Sequence, residues 1–202
     1  IIAVLITLCY ITGNGHIVRG VRYTYLIGRS GPEIDDRNFF PYATIPADHP
    51  QPWPRSARYG HLKLDNEQVA ALNKLNTVGF VVVKNDSLLF EDYFDGWRAD
   101  SVSNSFSVAK SYISLLTGIA MQEGRIKDLK TPVGLYLPAF DQVDSCHKPI
   151  TLWHLLTMST GLDWSESGSS PFSDNAKGYY GTNVSELAME QPCRVEPGKE
   201  FD

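Results

Sequence analysis

Ser105-Phe-Ser-Val-Ala-Lys-Ser-Tyr-Ile-Ser-Leu-Leu-Thr-Gly-Ile-Ala-Met-Gln-Glu-Gly124 is the stretch from which the fold can be read. Ser105 is a good helix N-cap, and Gly124 suits the left-handed position that closes a helix. One helix is therefore expected between them. Within it Ser107, Lys110, Ser111 and Ser114 stand at i, i+3, i+4 and i+7 and share a face. The remaining positions are apolar, with Val108, Ile113, Leu115, Leu116 and Ile119 among them. Lys110 is the only charged side chain between Ser107 and Gln122, whereas a solvated helix face normally carries several. The helix is expected to be buried nearly all round, with one lysine inside. Burial and the positive end of the helix dipole both favour the neutral amine. That form can take a proton from a serine one turn away. The Ser107 backbone N–H, at the same helix end, is a candidate oxyanion donor.

S-x-x-K alone is a weak signal, and it occurs again at Ser145-Cys-His-Lys148. The second copy lies in a polar stretch before Pro149, with no helix to fix its geometry. Context selects Ser107 as candidate nucleophile and Lys110 as candidate base.

Upstream of this helix, Val78-Gly-Phe-Val-Val-Val-Lys84 and Ser87-Leu-Leu-Phe-Glu-Asp-Tyr-Phe94 flank Asn85-Asp86. Two β-rich runs joined by such a pair make a hairpin. An isolated hairpin is marginal in water, and no later segment reads as a convincing strand. Asp65 to Leu75 predicts a short helix, capped by Asp65 with Gln68 as its capping-box partner and striped by Val69, Leu72 and Leu75. Five prolines between Pro41 and Pro54 make an extended connector, so folded structure is expected to start near His61. Ile1 to Val18 carries no Asp, Glu, Lys or Arg. Its dense apolar part is shorter than the ~20 residues of a spanning helix, and it reads as the tail of an anchor or signal. The alternative is a buried N-terminal strand or helix.

The sequence resembles the serine β-lactamase-like hydrolases, a group that includes class C β-lactamases, D-aminopeptidases, esterases and 6-aminohexanoate-oligomer hydrolases. Ser105-Phe-Ser-Val-Ala-Lys-Ser111 is similar to that family's S-F-S-x-A-K-S form. Glu123-Gly-Arg-Ile126 with Thr131-Pro-Val-Gly-Leu-Tyr-Leu-Pro138, and Ile150-Thr-Leu-Trp-His-Leu-Leu-Thr-Met-Ser-Thr-Gly-Leu162, resemble its next two segments in order. Glu196-Pro-Gly-Lys-Glu-Phe201 resembles the P-G-x-x-F that leads into its second catalytic motif. The resemblance implies an α+β class and the serine β-lactamase/penicillin-binding (transpeptidase-like) fold, an antiparallel sheet flanked by helices with a helical subdomain. It implies Ser107 as nucleophile and Lys110 as its base. A tyrosine of the second motif would follow Asp202 directly, and a late strand motif would complete the oxyanion hole. The chain is thus expected to be incomplete at both ends. Residues 1–18 would be the remnant of a transmembrane anchor or signal, 19–60 a juxtamembrane and Pro-rich connector, and 61–202 the N-terminal part of the hydrolase domain. The implied setting is bacterial, membrane-anchored and periplasmic or otherwise extracytoplasmic.

Other chemistry is disfavoured. A net charge of −5 with no basic run argues against nucleic acid. The five histidines show no H-x-x-x-H or Cys/His pairing, so no metal is expected. No phosphate loop and no G-x-S-x-G elbow occur, and no cofactor is expected. Three cysteines are too few for a disulfide framework, and a Cys146–Cys193 bridge stays open. His154, three residues after the candidate cap Thr151, reads as structural. Trp164 to Tyr180 is either a cleft wall or a plain surface loop. The expected partner at the site is a small or peptide-like carbonyl compound: amide, ester, β-lactam or D-peptide. The rival reading is a membrane-bound sensor that is acylated without turnover, or an inactive binding module.

Overall fold

In the computed structural model, which describes residues 1–201, Asn85 and Asp86 take φ of 51° and 54°. Two successive left-handed residues are the geometry of a type I′ turn, whose twist suits a hairpin. They join β1 (Gly79–Lys84) to β2 (Ser87–Tyr93), antiparallel, with Phe80 opposite Asp92 and Val82 opposite Phe90. Phe90 is buried, and its ring lies 6.0 Å from that of Phe80. The proline-rich connector adds one short parallel bridge at the edge of β2. The Leu88 N–H donates to Pro54 O (2.8 Å), and the Ser56 N–H donates to Leu88 O (2.9 Å). Among the described residues β1 and β2 form the only sheet.

Along the chain the α-helices are α1 (Ile2–Ile11), α2 (Gly15–Tyr23), α3 (Asn66–Lys74), α4 (Ala109–Gln122), α5 (Phe140–Val143), α6 (Leu152–Leu156), α7 (Asp174–Tyr180) and α8 (Val184–Met189). Side chains start α3, α6, α7 and α8. Asp65 and Gln68 close the expected capping box on α3, with Gln68 N donating to Asp65 Oδ1 at 2.8 Å. At α6 the same device is built from Thr151 and His154: the Thr151 N–H donates to His154 Nδ1 at 3.1 Å. His154 thus holds the backbone at the start of α6. Ser173 caps α7 and Asn183 caps α8. Such a cap is worth about 1 kcal/mol.

The chain divides into two compact units, Ile34–Asn104 and Ile1–Glu33 together with Ser105 onward. α2 runs across residue 18, and Pro54 and Ser56 pair with Leu88 of β2. The first unit holds the hairpin and α3. The second holds the other helices and a core of Val133, Phe140, Ile150 and Leu162, with Leu152, Met189 and Cys193 packed against it. Ile150 is fully buried, a burial worth about 1.5–3 kcal/mol for one such side chain. Among the described residues no helix is long and apolar enough to cross a membrane.

The open question about the cysteines is answered by a Cys146–Cys193 disulfide, spanning 47 residues. His147, fully buried beside it, lies 3.0 Å from Phe140 O through Nδ1 and 2.9 Å from Gln191 O through Nε2. The bridge and the imidazole therefore tie the same two segments together. Replacing both cysteines with serine is expected to lower stability by about 2–4 kcal/mol, because the unfolded chain regains the freedom of a long loop. Urea unfolding under non-reducing conditions checks this; an unchanged midpoint would show that His147 and the core suffice.

Candidate active site

Ser107 sits in a single 3-10 turn, Phe106–Val108, that runs straight into α4. The expected helix from Ser105 is thus split, and Ser105 makes no side-chain cap. The cause is Phe106, whose φ is +44°. A bulky residue rarely enters that left-handed region, at a cost of order 1–3 kcal/mol. The reversal puts Ser107 at the head of the helical segment. The Phe106 ring stacks on that of Tyr179 from α7, with centroids 6.4 Å apart and planes 10° from parallel. At the other end Gly124 takes the expected left-handed φ of 72°.

One turn beyond Ser107, the Lys110 Nζ donates a hydrogen bond to Ser107 Oγ at 3.1 Å. The two residues singled out by spacing are therefore in direct contact. Ser145, the rival, instead donates to Asp144 Oδ1 at 3.3 Å within another 3-10 turn, Ser145–His147.

The enclosure expected around this pair is absent among the described residues. Ser107 and Lys110 are exposed, and so is almost every side of α4: Leu115 is 66% and Leu116 58% accessible. An apolar helix is buried only where other elements cover its several faces, and residues 1–201 leave those faces open. The burial argument for a neutral Lys110 therefore has no support in this structure. Contact with Ser107 does.

Lys110 also lines a cavity of about 660 Å³. Its walls are mostly apolar, with Leu155, Met158, Leu162, Trp164 and Met189 among them, and Glu166 and Asn175 supply polar edges. Trp164 and Asn175 belong to the stretch that the sequence left as cleft or loop, and they fall on the cleft side. Asp174 pins that stretch. Its carboxylate accepts the Ser165 N–H at 3.0 Å and the Lys177 ammonium at 3.0 Å. Partial burial pushes the Asp174 carboxyl up, but the Lys177 and Ser165 hydrogen bonds together outweigh it. Asp174 is held below the usual carboxylate value.

The α+β architecture and the Ser–Lys turn at a helix start describe a serine β-lactamase-type domain. The chain belongs to that family: the β-lactamase family model matches residues 66–202. Among solved structures it is similar to a chain from Bacillus anthracis described as "Putative 6-aminohexanoate-dimer hydrolase", at 20% identity with a TM-score of 0.57. That alignment covers 74% of this chain and 44% of the other, so this chain spans less than half of its relative. The likeness is one of fold. A comparison with curated proteins finds no match.

Proposed function

We propose that the chain carries the nucleophile and base of a serine hydrolase that works through an acyl-enzyme. The observation that carries the reading is the 3.1 Å contact between Lys110 Nζ and Ser107 Oγ. In the proposed first step Ser107 Oγ bonds to the substrate carbonyl carbon while its proton passes to the neutral Lys110 amine. The tetrahedral adduct collapses, the bond to the leaving group breaks, and the Lys110 ammonium returns the proton to that group. Water then attacks the Ser107 ester, giving the acid and restoring the serine.

Amides and esters are the favoured substrates, ahead of β-lactams. The support is the S-F-S-x-A-K-S form at Ser105–Ser111, and a chain of the same fold is named a 6-aminohexanoate-dimer hydrolase. An extracytoplasmic location is supported by the Cys146–Cys193 bridge, since disulfides persist in oxidising compartments. The rival is a sensor acylated once at Ser107, and kinetics separates the two. With p-nitrophenyl acetate, the complete protein is expected to release many equivalents of nitrophenolate. A burst of one equivalent followed by no turnover would favour the sensor.

A further inference from the structure

We propose that the N-terminal segment is a docking surface for an anionic lipid bilayer, with α1 in the hydrocarbon and α2 holding the rest of the unit against the membrane face. This stands independently of the hydrolase reading.

The first observation is the surface of α1. Successive helical residues point 100° apart, so Val4, Leu5 and Ile6 face three different sides. They are 69%, 55% and 41% accessible. α1 carries no charged residue and buries none of its side chains. A helix apolar all round belongs in a protein core or in lipid. A second copy of the chain would cover one of its sides and leave the others in water.

The second observation is charge. Residues 1–32 contain Arg19, Arg22 and Arg29 and no Asp or Glu, in a chain whose net charge is −5. Arg22 is exposed on α2, and the Tyr25-Leu26-Ile27 turn just beyond it is exposed as well. Apolar groups for the acyl region beside an exposed arginine, Arg22, for lipid phosphate is the composition of a membrane-surface segment.

The third observation is that the segment is not a loose tail. His16 is buried, with Nε2 2.9 Å from Pro171 O. Arg19 Nε donates to Tyr180 O, and Gly20 lies under the Tyr180 ring. The Tyr10 ring closes over Gly15, fixing the corner between α1 and α2. The segment is thereby tied to α7, the helix whose Tyr179 stacks on Phe106 beside Ser107.

The test is co-sedimentation of the purified chain with vesicles of phosphatidylcholine alone and of phosphatidylcholine with phosphatidylglycerol at three to one. The wild-type chain is expected to bind the anionic vesicles at least about tenfold more tightly than the neutral ones. Leu5→Asp with Leu8→Asp changes only exposed side chains, and circular dichroism confirms the fold. That variant is expected to lose at least about tenfold in binding. Arg22→Gln should lose about fivefold on anionic vesicles only. Undiminished binding by the aspartate variant, or equal binding to both vesicle types, would overturn the proposal. So would a dimer in size-exclusion chromatography that the aspartate variant dissolves while the wild type ignores vesicles.

Discussion

Ser107→Ala in the complete protein is expected to lower kcat for an activated ester by about 10⁴- to 10⁶-fold, the range found when a covalent nucleophile is removed. The argument rests on position. Ser107 Oγ is the hydroxyl that Lys110 reaches, at the head of α4, where the reversal at Phe106 presents it. Alanine fits the 3-10 turn without strain, and Ser107 is exposed, so stability should change by less than about 0.5 kcal/mol. Activity and stability therefore separate. A kcat within tenfold of wild type would remove Ser107 from the chemistry.

Lys110→Arg is expected to cost about 10²- to 10⁴-fold in rate while keeping the positive charge. Arginine stays protonated at any working pH, so it cannot accept the serine proton. A guanidinium could still donate to Ser107 Oγ, and a lysine that merely orients the serine would tolerate the exchange. The substitution thus distinguishes a base from a hydrogen-bond donor. The pH profile adds a second readout: the variant should lose the rising limb that deprotonation of the base produces. Near-normal turnover of p-nitrophenyl acetate by the arginine variant would exclude Lys110 as the base.

Local features were legible in the sequence because neighbouring residues alone determine them. Asp65 and Gln68, the Asn85-Asp86 turn and the left-handed Gly124 each behave as their chemistry dictates. The Ser107–Lys110 contact follows from helical spacing and survived even though the helix starts later than expected. Features set by what lies across space were not legible. Phe106 gives no sign of its positive φ, since bulky residues avoid that region and no pattern marks the exception. The apolar periphery of α4 was read as buried, but periodicity reports which sides need covering, not whether anything covers them. The disulfide could not be paired from spacing alone, and the contact of His147 with Gln191 O depends on a return of the chain 44 residues later.

The central claim, that Ser107 is the acylated residue and Lys110 its activator, is tested most directly by mapping a covalent adduct. The complete protein is treated with a fluorophosphonate probe, digested, and the modified peptide identified by mass spectrometry. The account predicts one adduct, on Ser107, absent in Ser107→Ala and formed at least about 10²-fold more slowly in Lys110→Arg. An adduct on Ser145, or labelling that persists at full rate in Ser107→Ala, would contradict it.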